Sequence, residues 1–171
     1  KYATILYTLG KYLQLLVFPW PLTHDYYPRH IEVMSFGDPL VLLSLILHLA
    51  LVAGAVYSLR KKQVWGFGIW FYLATLSIVS NIVFPVGTNM SERFLYLPSA
   101  GFCLSVGALL HQYLLSRKAK EKETKARQSA LIPVLVITAV FGLLTILRNP
   151  VWKDDYTLFT TDVRVSNNSV K

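Results

Sequence analysis

The residues best suited to chemistry fall in two short stretches. The first reads Phe18-Pro19-Trp20-Pro21-Leu22-Thr23-His24-Asp25-Tyr26-Tyr27-Pro28-Arg29-His30. His24, Asp25, Arg29 and His30 put an acid, a base and two imidazoles within seven residues, a concentration suited to a polar headgroup at a membrane edge. An aromatic belt, with Trp20, Tyr26 and Tyr27 at headgroup level and the charges in water, accounts for the same rings, and both readings stand. The second stretch reads Gly87-Thr88-Asn89-Met90-Ser91-Glu92-Arg93-Phe94-Leu95-Tyr96-Leu97-Pro98-Ser99. An Arg fork at a membrane surface can hold two oxygens of a phosphate, which makes Arg93 the first candidate for a lipid-phosphate contact. The alternative is a snorkelling Arg paired with Glu92 or Asp25 for structure alone.

Other chemistry is sparse. His48 and Asn81 lie within apolar runs, where a hydrogen bond to a neighbouring helix is the simplest role for each. A single cysteine, Cys103, excludes an intrachain disulfide and reads as a packing residue. Four histidines without paired cysteines give no metal site. Neither a Walker-type lysine nor a Gly-x-Ser-x-Gly or His-Glu-x-x-His motif occurs, and no cofactor is implied.

The elements that must position these residues follow from composition. Of 171 residues, 15% are charged and 54% hydrophobic, with mean hydropathy +0.45, too little polar surface to coat a globule of this size. The net charge of +8 and pI near 9.6 would by themselves suggest nucleic acid or an anionic surface. The placement of the charges decides against nucleic acid, because base is confined to loops between apolar runs. Spans are predicted at about 39–59, 64–86, 94–115 and 130–147, with Pro133 in the first turn of the last. Residues 2–18 form a fifth, in which Thr4, Tyr7, Lys11 and Gln14 make one polar stripe facing a neighbour or a wet cavity. An interfacial amphipathic helix is the alternative for this segment. Small residues after Pro98 permit close helix approach or room for a lipid tail.

Loop charge orients the bundle. Three bases at 60–62 and six at 116–128 face one each, Arg29 and Arg93, in the alternate loops, so the basic loops are expected to be cytoplasmic. Residues 19–38, 87–93 and the tail after Arg148 then share the non-cytoplasmic side, where sequons at Asn89 and Asn167 also fall. The mixed-charge stretch 117–127 is expected to be a solvated helical extension. Asp154 and Asp155 are placed to start a helix carrying Leu158, Phe159 and Val163. Lys1 almost inside an apolar run suggests a piece of a longer protein.

Several of these motifs occur together in one known family. Phe18-Pro19 with Leu22-Thr23-His24-Asp25-Tyr26, then Asn81-Ile82-Val83-Phe84-Pro85-Val86-Gly87-Thr88, then Glu92-Arg93-Phe94-Leu95-Tyr96-Leu97-Pro98-Ser99, then Asn149-Pro150-Val151-Trp152 with Leu158-Phe159 stand in that order. The set resembles the membrane domain of the transmembrane and tetratricopeptide-repeat-containing (TMTC) O-mannosyltransferases and their bacterial relatives. The His-Asp-Tyr-Tyr loop is closer to the bacterial members.

The resemblance implies an all-α integral membrane chain of about five spans, part of a C-type glycosyltransferase fold. Residues 1–148 would be the C-terminal part of a multi-pass domain and 149–171 a non-cytoplasmic linker leading toward tetratricopeptide repeats. It implies transfer of a sugar, by resemblance mannose, from a polyprenyl-phosphate donor to Ser or Thr of an acceptor protein. In a eukaryote the donor would be dolichyl-phosphate mannose and the membrane the endoplasmic reticulum; in a bacterium, the inner membrane. The family's acidic base would lie upstream, so this fragment alone would be inactive and would contribute donor binding. Arg93 is then the expected phosphate contact, with Arg29 and His24 behind it and Asp25 and Glu92 orienting them or touching sugar. A non-enzymatic anchor for a repeat domain is the competing class, and a transporter a third.

Overall fold

A computed structural model describes residues 1–20, 22, 26, 31, 33–82, 87–88, 90–118 and 123–165. It is built of six helices among the described residues: α1 (Tyr2–Val17), α2 (Pro39–Lys61), α3 (Val64–Val79), α4 (Tyr96–Lys118), α5 (Glu123–Arg148) and α6 (Asp155–Val165). Single 3₁₀ turns, Glu92–Leu95 and Asn149–Trp152, lead into α4 and follow α5. The chain divides into two compact units, one built mainly on Lys1–Ser105 and the other on Val106–Thr161.

Three described helices are long and apolar enough to cross a membrane, over Pro39–Lys61, Glu92–Leu114 and Ile132–Trp152. Their outward faces keep large apolar side chains exposed, among them Ile46 and Leu49 on α2 and Ile146 and Leu147 on α5, as expected of surfaces solvated by lipid or by further helices. The α3 helix is shorter than its apolar run. It ends at Val79, not near 86, because Asn81 takes a left-handed backbone at φ 60° and its side chain donates to the Thr88 carbonyl at 2.8 Å. Asn81 therefore closes a loop at the end of α3. Residues 83–86 lie outside the described set.

Pro98 and Pro133 sit differently in their helices. Helix α4 starts at Tyr96, so Pro98 is its third residue, in the turn that has no intrahelical acceptor to lose, and its ring is fully buried. Pro133 is not in a first turn, because α5 begins at Glu123 and runs through it. The charged stretch before it is thus helical at both ends, to Lys118 and again from Glu123.

The first unit is held by close backbone contact. Tight turn chemistry joins α2 to α3: Lys62 is left-handed at φ 51°, its N–H meets the Leu59 carbonyl, and the Gln63 N–H reaches Ser58 O at 2.9 Å. Trp70 Nε1 then donates to the Ala55 carbonyl, which lies on the adjacent helix. Between α3 and α4 the glycines meet. A Cβ on Gly101 would stand 2.6 Å from both Gly68 O and Tyr72 N, and Ser105 Oγ donates to the Trp65 carbonyl. Of the two uses of these small residues, close approach is the one realised here.

At the other end, Asp154 caps α6 by accepting from the Thr157 N–H at 2.7 Å. Leu158 is buried and Phe159 exposed.

Two expected outcomes follow. Gly101→Val should destabilise the protein by about 1–3 kcal/mol through overpacking against backbone that cannot yield, whereas Gly107→Ala, inside α4 with nothing within 4 Å of its new methyl, should not lower the thermal midpoint in detergent and should raise it slightly, Ala being the better helix former. The backbone N–H of Thr157 holds the Asp154 carboxyl below the usual carboxylate range. A depressed carboxyl stabilises above its unfolded value and loses that contribution as pH falls through the folded one. Amide protection at Thr157 should therefore persist through the ordinary Asp range and collapse below it, and Asp154→Ala should abolish this pH step.

Candidate functional site

The site is assembled where α1 meets the turn that enters α4. Along α1 the buried positions are Ala3, Ile5, Thr8, Leu9, Tyr12, Leu15 and Leu16, one apolar face at helical spacing. Tyr12 belongs to that face and is about 1% exposed, so its hydroxyl must find a partner inside. It accepts the backbone N–H of Ser91 at 3.1 Å. Met90 is buried beside Tyr12, Leu76 and Leu95 in the same core cluster. The backbone immediately before Glu92–Arg93 is thereby fixed to the first helix.

Glu92 is fixed from a second direction. Tyr26 is buried, and its hydroxyl donates to Glu92 Oε1 at 2.9 Å across 66 residues of sequence. The Glu92 carboxylate therefore receives a bond from the first loop. Arg93 is exposed, and its guanidinium carbon lies 5.6 Å from the centre of the Phe94 ring. Among the described residues no carboxylate pairs with it. The geometry separates the Glu92-Arg93 dipeptide into a carboxylate held by phenol and a cation turned outward with its donors available.

Of the expected site residues, Glu92 and Arg93 are therefore placed on one short turn at the entry of an apolar helix. His24, Asp25 and Arg29 lie outside the described residues, as do the sequon asparagines Asn89 and Asn167. Of the two readings of the first loop, the belt would leave Tyr26 at headgroup level; its side chain is instead buried and contacts Glu92. Tyr12 went unnoticed as a site contact, although its place on the Ile5, Leu9, Leu16 stripe is a legible signal that a hydroxyl is buried there.

The other polar groups are local. His48 does not reach a neighbouring helix: its Nδ1 meets the Ser44 carbonyl of its own helix at 2.8 Å. Since a carbonyl only accepts, Nδ1 carries the proton and Nε2 is left buried without a partner among the described residues. Cys103 is exposed on α4, not packed. The polar stripe of α1 does face a neighbour, with Tyr7, Lys11 and Gln14 lining a groove against α2.

The register of α1 against α2 departs from that of a simple hairpin. Thr4 Oγ1 accepts from the Met34 N–H just ahead of α2, and Ser44 Oγ donates to the Leu6 carbonyl. The start of α2 thus lies beside the first half of α1. A simple up-and-down pair would set Pro39 beside Val17.

Comparison with known proteins gives several relatives of one kind. The chain is 31% identical over 176 aligned positions to mouse protein O-mannosyl-transferase TMTC3, covering 100% of the chain and 18% of that protein. It is 31% identical to mouse protein O-mannosyl-transferase TMTC4 over 93% of the chain and 21% of that protein. Drosophila melanogaster protein O-mannosyl-transferase Tmtc3 is 37% identical over 60% of the chain and 10% of its own length. The chain thus spans between 10% and 21% of the length of these relatives. No family model matches, and no solved structure matches.

Removing the Tyr12 hydroxyl leaves a buried N–H with no acceptor, which costs about 1–3 kcal/mol. Tyr12→Phe should accordingly speed amide exchange at Ser91 and lower the thermal midpoint, while Tyr2→Phe, on an exposed side chain, should change neither.

Proposed function

We propose, because this chain belongs to the TMTC family of protein O-mannosyl-transferases, that it is the donor-binding segment of a membrane glycosyltransferase. The full protein would transfer mannose from a polyprenyl-phosphate carrier to Ser or Thr of an acceptor protein. The observation that carries this reading is Arg93, a cation without a carboxylate partner among the described residues, on a turn whose backbone is anchored by Tyr12.

The chemistry accounts for that arrangement. The acceptor hydroxyl attacks the anomeric carbon, the bond from that carbon to the phosphate oxygen breaks, and the electron pair stays on the phosphate. Negative charge grows on the leaving group, so a guanidinium already in place stabilises the transition state more than the ground state. A side chain that had to break an ion pair first would lose part of that advantage. In this scheme Tyr26, by holding Glu92, keeps that carboxylate from claiming Arg93 and leaves it near the sugar. His24, Asp25 and Arg29 remain candidates for further donor contacts. The proton of the acceptor goes to an acidic residue outside this segment.

The same reading sets the chain in the membrane with Arg60-Lys61-Lys62 and 116–128 on the cytoplasmic side, and with the Glu92–Arg93 turn and α6 on the other. On this view α1 and α3 complete the part of a C-type domain that α2, α4 and α5 begin. Helical repeats would follow α6, and the membrane would be the endoplasmic reticulum in a eukaryote.

In full-length protein, Arg93→Ala should lower transfer from a polyprenyl-phosphate donor by roughly 10²–10³ with the thermal midpoint unchanged. Arg93→Lys should recover part of the loss, because a point charge lacks the fork. Unchanged turnover in Arg93→Ala would remove Arg93 from the reaction.

A further inference from the structure

The groove between α1 and α2 is not used by the reaction described above. It encloses about 620 Å³, enough for part of a large ligand. Its α2 wall runs from Leu40 to Leu51 through Leu43 and Leu47. Eleven helical steps give about 16 Å of apolar wall, close to half of a hydrocarbon core about 30 Å thick. That is the depth of one leaflet and hence of one acyl chain.

One charge interrupts this lining. Lys11 is half-buried in the groove; its Nζ donates to Gln14 Oε1 at 3.1 Å and sits 5.8 Å from the centre of the Tyr7 ring. Both partners are neutral, and among the described residues no carboxylate meets this ammonium. A cation so placed beside a membrane helix is costly unless an anion answers it. Gly10 packs against Ser44, five residues into α2, which puts Lys11 about 7.5 Å from the helix start and within snorkelling reach of headgroup depth.

We propose that this groove binds one anionic phospholipid of the surrounding bilayer, with its phosphate on Lys11 and an acyl chain along α2. Charge selects the class. A choline lipid brings its own cation to the phosphate, whereas a phosphatidylglycerol phosphate has its charge free for Lys11. The bound lipid fills the seam beside α1, the helix whose Tyr12 holds the Glu92–Arg93 turn. The proposal rests on α2 lying in a bilayer and not on mannosyl transfer, so its failure would leave the Arg93 reading standing.

The test is lipid retention by full-length protein taken from vesicles of phosphatidylcholine and phosphatidylglycerol at about 9:1 and examined by native mass spectrometry. Wild-type protein should keep one more phosphatidylglycerol per chain than Lys11→Met, and Lys11→Arg should keep it as wild type does. Leu47→Trp fills the groove without touching the charge and should also lose it, which separates occupancy from any folding defect of Lys11→Met. Equal retention by wild type, Lys11→Met and Leu47→Trp would overturn the proposal. So would retention of phosphatidylcholine in its place, or displacement of the phosphatidylglycerol by equimolar polyprenyl phosphate, which would give the groove to the donor.

Discussion

A single hydrogen bond, from the Ser91 N–H to the Tyr12 hydroxyl, joins the two halves of sequence that matter most here. Without it the turn before α4 would lose its hydrogen bond to α1. With it, Glu92 and Arg93 take a fixed position against the first helix, and Met90, Leu76 and Leu95 belong to the same buried cluster as Tyr12. Low local polarity makes the bond strong and its loss expensive. The Tyr26 to Glu92 contact is a second clamp from another part of the chain. Together they convert an adjacent acid and base, which would otherwise neutralise each other, into groups with separate partners.

Much of the helical framework was legible because hydropathy and charge act over whole segments. Pro39–Lys61 begins and ends where an apolar run and its basic flank require, and α6 starts where Asp154 can cap it. Single-residue decisions were less legible. Apolar character continues beyond Val79, so hydropathy extended α3 to 86, but Asn81 adopts a left-handed backbone that ends the helix regardless. Distance from the apolar boundary puts Pro133 in a first turn, which it does not occupy. The true boundaries are set by the 3₁₀ turn at Glu92 and by a charged but helical stretch from Glu123.

The site divides in the same way. Arg93 is legible as the single base of the 87–93 loop, and it lies exposed on the turn that enters α4. Tyr12 was hidden because a tyrosine on an apolar stripe reads as bulk until the partner of its hydroxyl is known, and that partner lies 79 residues away. Side-chain placement on α1 followed from its period, since Tyr7, Lys11 and Gln14 did turn to one groove. The way α2 begins beside Thr4 and Leu6 did not. Helical period fixes which face a residue occupies but says nothing of where along that face the next helix starts.

The two-residue turn at Lys62–Gln63 has a consequence for how such a chain enters a bilayer. With the Gln63 N–H already bonded to Ser58 O and Trp70 donating to Ala55, α2 and α3 can pair as soon as both have been synthesised. Only Lys62 and Gln63 separate them. If α3 lies in the bilayer beside α2, three positive charges at the bend would resist translocation, and the pair would enter as one hairpin, bend last. The left-handed Lys62 would then serve biogenesis as well as the finished fold, setting the order in which the later helices find a surface to pack on.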